Sequence, residues 1–174
     1  MRVDRFYSLA RVFLEFMVFA FIGFVAETVY MFSLTGTYVP RGLAGFGMPV
    51  VTVYGYGALL VVYALRRYRK SPFKIYVYGV FWLSLLELAG SYLEEFFIGH
   101  RSWDYYSRLF NLDGRICLSN SLLWGLVALV TMYALHPGIL KVLMRLPRFV
   151  VIALAGVLFV GLVVSMFVKF LAYQ

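Results

Sequence analysis

The sequence predicts an all-α polytopic membrane protein, a bundle of about five transmembrane helices joined by polar, partly re-entrant loops. Three observations carry this. Hydrophobic residues make up 63% of the 174 residues and charged residues only 14%, against roughly 25% charged in soluble domains. The mean hydropathy is +0.86. The apolar stretches are continuous runs of helix length, not alternating strands, which argues against a β-barrel. In lipid each segment must satisfy its own backbone hydrogen bonds, and helices do so. The chain reads as a single integral membrane domain over residues 1–174, with no room for a second, soluble one.

Taken in order, a short basic N-terminus leads into a first span over 12–34. That run contains Glu27, is too long for a secretory leader and has no small-residue cleavage pattern. A loop follows with Pro40, Gly42, Gly45, Gly47 and Pro49; this density of glycine and proline predicts a turn or a re-entrant approach to the next helix. The second span is predicted over 49–65, where Gly55 and Gly57 allow close packing and Arg66, Arg67, Arg69 and Lys70 mark the end. The third is predicted over 73–97 and carries Glu87, Glu94 and Glu95. A polar loop over 98–117 comes next. The fourth span, over 118–136, is predicted to stop at Pro137–Gly138. The fifth covers 147–171 and contains no acid.

The formal net charge of +8 would suggest nucleic acid in a soluble protein. Here the cations sit in short loops beside apolar runs, with no basic stripe interleaved with stacking aromatics, so no nucleic-acid partner is expected. Arg2, Arg5, Arg11, Arg66, Arg67, Arg69, Lys70, Lys74, Lys141, Arg145 and Arg148 fall on one side of five alternating spans. Arg41, Arg101, Arg108, Arg115 and Lys169 fall on the other. The positive-inside rule then predicts a multi-pass protein of the cytoplasmic (inner) membrane, with a cytoplasmic N-terminus and an extracytoplasmic C-terminus. The Arg41 loop and the 103–115 stretch share the extracytoplasmic side.

The acids point to chemistry. Glu27 and Glu87 lie deep within spans, where an ionised side chain costs about 2.5–3.5 kcal/mol on insertion scales. Glu87 and Glu94 return to within about 20° of each other on a helix, with Ser91 between them. Glu95 points elsewhere and reads as an interface residue. The expected arrangement is a polar pocket in the outer half of the membrane, walled by Glu27, Glu87 and Glu94. Arg41 and the loop from Trp103 to Arg115 would cover it. The plainer alternative is a set of structural ion pairs tying loops to the bundle. Glu15, Arg101 and Arg108 read as solvated or headgroup-contacting, His100 and His136 as interfacial, and Trp103, Tyr105 and Tyr106 as candidates for an aromatic belt. Cys117, the single cysteine, reads as a packing residue. No Walker A loop, zinc-ligand spacing or nucleophile elbow is present, and no cofactor or metal is expected.

Several short motifs occur in one order: F-I-G-F-V-A-E at 21–27, R-G-L at 41–43, Y-G-Y-G at 54–57, S-Y-L-E-E at 91–95, W-D-Y at 103–105, F-N-L-D-G-R-I-C-L at 110–118, S-L-L-W-G at 121–125 and H-P at 136–137. In this the chain resembles the small bacterial membrane proteins called putative ABC transporter type IV, or CmpB-like. The resemblance marks Glu27, Arg41, Glu87, Trp103, Asp104, Tyr105, Asn111, Gly114, Arg115, Ser121 and Trp124. It implies a permease. With Glu94 added from helical spacing, these residues, Gly114 aside, form the candidate binding set. At 45–49 the chain reads G-F-G-M-P and departs from the family pattern.

Three functions fit this reading. One is a permease-like component that binds or moves a lipid headgroup or small polar solute. The second is an intramembrane enzyme acting on a lipid or lipid-linked substrate. The third is a structural or assembly subunit. Membrane lipids are the expected partners, with other membrane subunits or a second copy of the chain beside them.

Overall fold

The computed structural model describes residues 2–173, with side chains from Arg5 onward. It comprises α1 (Arg2–Thr35), α2 (Thr52–Leu59), α3 (Pro72–Ile98), a two-stranded hairpin of β1 (Asn111–Leu112) and β2 (Ile116–Cys117), α4 (Leu118–Val130), α5 (His136–Leu143) and α6 (Arg148–Ala172). Among the described residues four helical runs are long and apolar enough to cross a bilayer: Arg5–Thr35, Pro72–Ile98, Leu118–Leu143 and Arg148–Ala172. Internal packing divides the chain into two compact units. Residues 2–56 and 138–172 form the first, and residues 57–137 with Tyr173 form the second.

In the first unit α1 and α6 run parallel. Ala10 and Leu14 pack in one buried cluster with Leu143, Val151 and Ala155. The Arg148 guanidinium lies over the Tyr7 ring, 5.4 Å from its centroid, and Phe13 meets Phe159 edge-on at 5.8 Å. α1 ends where Gly36 takes a left-handed conformation (φ 68°) and its N–H donates to Phe32, a glycine helix stop. The chain then turns back along α1. Gly42 (φ 60°) lets the loop close on itself: its missing Cβ would lie 2.3 Å from the Val50 carbonyl oxygen, and Leu43 N–H donates to that carbonyl at 2.9 Å. Val51 N–H reaches the Ala20 carbonyl at 3.0 Å. Ala20 lies fifteen residues before the end of α1, roughly 22 Å down its axis. Irregular backbone at that depth is tolerable because its polar groups bond within the protein.

α2 therefore starts part-way along α1. The Tyr54 ring fills the place of a side chain at Gly23, 2.2 Å from where its Cβ would be, and the Phe16 ring does the same at Gly55, at 2.6 Å. The predicted second span, 49–65, is corrected: the helical segment is only Thr52–Ala64, about 20 Å long and short of a hydrocarbon core of about 30 Å.

In the second unit α3 and α4 form an antiparallel hairpin. Ser71 caps α3, its hydroxyl accepting from Lys74 N–H at 3.4 Å, with Pro72 at the first turn, as capping chemistry favours. One stripe of α3 is buried: Gly79, Leu83, Ser84, Glu87 and Ser91. Gly79 admits α4 closely, since a Cβ there would lie 2.5 Å from Ala128 Cβ. Gly125 returns the favour to the Tyr76 ring at 2.6 Å. Two wide π-helical turns, Leu60–Ala64 and Thr131–Leu135, pack against each other.

Three further expectations are corrected. The first helix begins at Arg2, ten residues before the predicted span. Glu15 therefore lies about 20 Å along the helix and is fully buried, 3.8 Å from Arg11 Nε, instead of solvated. Helix also continues past Pro137 to Leu143. The π-turn before it ends with His136 N–H bonding to Thr131, so the ladder is already opened where proline lacks an N–H.

Gly79→Val is expected to destabilise the hairpin by roughly 1–3 kcal/mol through overpacking, measured by reversible unfolding in mixed micelles. Gly90→Ala, where nothing lies within 4 Å, is expected to be neutral or slightly stabilising.

Candidate functional site

The residues singled out from sequence fall into two groups, one in each unit. In the first unit the Arg41 guanidinium holds one oxygen of Glu27, with Nε at 2.9 Å and Nη2 at 2.5 Å. The side chains are 20% and 19% exposed. The loop that turns back along α1 thus brings its cation onto the acid, and the pair pins the entrance of the re-entrant segment.

The second group is built on the buried stripe of α3. Glu87, Ser91 and Glu94 lie at spacings of four and three, and each receives a contact from the loop that follows. The Tyr105 hydroxyl donates to Glu87 at 3.1 Å, Arg115 Nη1 donates to Ser91 at 3.0 Å, and Ser102 donates to Glu94 through its hydroxyl at 2.6 Å and its N–H at 3.1 Å. Glu87 is 4% exposed. From α4, Asn120 Nδ2 reaches both its oxygens at 2.8 and 3.1 Å, and Trp124 Nε1 donates at 2.8 Å. Every one of these groups is a donor, so the site suits an ionised carboxylate. Asn120 and Trp124 are four residues apart and share a helix face. Ser121 is buried beside them.

Arg115 is 3% exposed. Its guanidinium donates to Asp113 at 2.9 Å, to Ser91 and, at short range, to Glu95. It also lies over the Tyr92 ring, 3.7 Å from the centroid. Arg115, expected in the cover over Glu27, Glu87 and Glu94, is thus paired with Glu95 and Asp113 instead. Glu95 is not a plain interface residue, because it also accepts from Arg101 Nε at 3.0 Å. Arg115 and the Tyr106 hydroxyl beside Asp113 hold its carboxyl below the usual aspartate range. The Glu95 carboxylate pushes Arg115 and Arg101 up.

The loop is shaped by its own side chains. Trp103 Nε1 donates to the Arg115 carbonyl at 2.9 Å. The Asp104 carboxylate accepts from Tyr106 N–H at 2.9 Å. Asn111 Nδ2 bonds to the carbonyls of Tyr106 and Arg108, while its oxygen accepts from Gly114 N–H at 3.1 Å. Gly114 (φ 65°) must be glycine, since a Cβ would lie 2.6 Å from the Tyr106 ring. Tyr105 N–H donates to the Gly114 carbonyl at 2.7 Å, which places its hydroxyl over Glu87. Asn120, Asp113, Tyr92 and Ser102 were not singled out from sequence. The four-residue step from Asn120 to Trp124 is the one signal that could have found the first.

A sequence model of the family described as putative ABC-transporter type IV matches residues 14–170. The chain belongs to that family. Searches of curated proteins and of solved structures give no match. Family membership and the four spanning-length helices fit a multi-pass, transport-related membrane protein. The W-D-Y and F-N-L-D-G-R-I-C-L motifs that carry the resemblance are the residues that fold the loop and close it on α3.

Two predictions follow from the charges. Arg115 is buried, whereas Glu95 and Asp113 are 39% and 41% exposed. Removing both acids (Glu95→Gln with Asp113→Asn) strands a buried cation, while Arg115→Met leaves two acids that water can reach. Amide exchange over 99–117 is therefore expected to accelerate more in the double variant than in Arg115→Met. The second concerns pH. A depressed Asp113 stabilises the loop fully above the unfolded value of about 3.9, and that contribution is lost as pH falls through the lower folded value. The loop is expected to stay protected just below pH 4 and to open only lower, with Asp113→Asn abolishing that step in a pH series of exchange measurements.

Proposed function

We propose that the protein is a permease-like component of the cytoplasmic membrane that engages a lipid headgroup or small polar solute at the loop end of the α3–α4 hairpin. The supporting observation is Glu87. A carboxylate well inside a spanning helix is costly, and here it accepts from α4 and, through Tyr105, from the loop above it. A ligand offering donors or a positive charge would compete for those oxygens and release Tyr105, so binding and loop movement would be coupled. Glu27 and Arg41 form the second polar element on this reading. Arg115 is committed to Glu95 and Asp113, which speaks against the phosphate-clamping role an enzyme would ask of it. The opposite half of the spans carries few polar groups beyond Ser84, Thr131 and Glu15, so a free polar solute would need a partner subunit to cross, and a lipid, whose chains stay in the hydrocarbon while its headgroup moves, is the cargo this chain suits by itself. On the distribution of Lys and Arg, the loop end faces the extracytoplasmic side and the N-terminus the cytoplasm.

The test is transbilayer movement of fluorescent-headgroup phospholipids in vesicles holding the purified chain, read by aqueous quenching, with lipid mass spectrometry alongside. Glu87→Gln is expected to slow movement by about tenfold or more, the scale of losing a hydrogen bond to a charged group. Equal rates in vesicles with the native chain, with Glu87→Gln and with no protein would overturn the proposal. A new lipid species dependent on Glu87 would replace it with the enzyme.

A further inference from the structure

The tip of the loop plays no part in the Glu87 cluster. Leu109, Phe110 and Leu112 are 83%, 80% and 56% exposed there. The Arg108 side chain beside them is exposed and makes no side-chain hydrogen bond or ion pair among the described residues. Phe110 has φ 52°, a left-handed conformation that a side-chain-bearing residue adopts only at a cost. That conformation is held from both sides. The Phe110 carbonyl accepts from Leu118 N–H at 3.3 Å, and Asn111 Nδ2 bridges the carbonyls of Tyr106 and Arg108 at 3.2 and 2.8 Å. Strain maintained by several polar bonds, with a phenyl ring directed outward, is a device for presenting that ring.

The surroundings say to what. The tip lies between Gly99, which caps α3, and Leu118, which opens α4, at the end of a spanning hairpin where hydrocarbon gives way to headgroups. Apolar and aromatic side chains beside an unpaired guanidinium match that boundary chemically: the former enter the acyl region and the latter meets phosphate.

We propose that the Arg108–Leu112 tip is a membrane anchor, with Leu109 and Phe110 seated in the leaflet at this end of the hairpin and Arg108 on lipid phosphates. Seated there, it fixes the loop whose Tyr105 bonds to Glu87. The anchor does not depend on whether Glu87 receives a ligand.

A spin label at Leu109→Cys in a Cys117→Ala background tests this with the full chain in vesicles of phosphatidylcholine and phosphatidylglycerol. Collision with dissolved oxygen is expected to exceed collision with a water-soluble nickel chelate several-fold, with the reverse at a label on Ser107→Cys. Phe110→Asn keeps a residue that tolerates the left-handed backbone and removes the ring. It is expected to shift the Leu109 label toward water while protease resistance of the loop stays native. Nickel collision at Leu109 equal to that at Ser107 would overturn the anchor. Low collision with both reagents would overturn it in favour of a protein surface covering the tip. An oxygen preference unchanged by Phe110→Asn would remove Phe110 from the role.

Discussion

A carboxylate inside a bilayer persists only where the protein replaces the water it has lost, and the second unit is organised by that demand at Glu87. Meeting it takes donors from two directions. Asn120 and Trp124 come from the neighbouring helix, which requires α4 to lie against α3, and Gly79 and Gly125 remove the side chains that would hold the helices apart. Tyr105 comes from above, which requires a folded loop. The loop's own bonds, from Asp104, Asn111 and Trp103, follow from that second requirement. A polar group that lipid should expel thereby dictates helix spacing, glycine placement and loop shape together.

The first unit answers the same demand differently. Its irregular segment, 36–51, would expose unsatisfied backbone at depth. It closes on itself through Leu43 and Val50 and onto α1 through Val51. The aromatic rings of Tyr54 and Phe16 occupy the positions left open by Gly23 and Gly55. The Arg41–Glu27 pair then neutralises charge at the entrance.

Composition and continuous apolar runs made the membrane class and the helix count legible, because both depend on summed hydrophobicity. The acid-and-loop character of the site was legible because acids in apolar runs and a dense polar stretch stand out. What stayed hidden was partner choice. Arg115 finds Glu95 rather than a deeper acid, since a guanidinium at the loop's base reaches the last turns of α3 first. Helix ends were misjudged wherever tertiary packing overrode a local signal: at Arg2, where the helix extends through basic residues, and at Pro137, where a widened turn absorbs the missing donor. The second span looked long enough because its first residues are apolar, yet Pro49–Val51 belong to the re-entrant loop.

The π-turn at Thr131–Leu135 has a wider effect. An extra residue in one turn rotates everything beyond it by about 100°. Before the turn, the helix presents Ser121, Trp124, Gly125 and Ala128 to be buried. Within the α3–α4 unit the turn keeps Thr131 and Met132 buried, packed by the matching wide turn at Leu60–Ala64. The number of residues in that stretch is as constrained as their chemistry, since one fewer would turn Thr131 or Met132 out of its buried place.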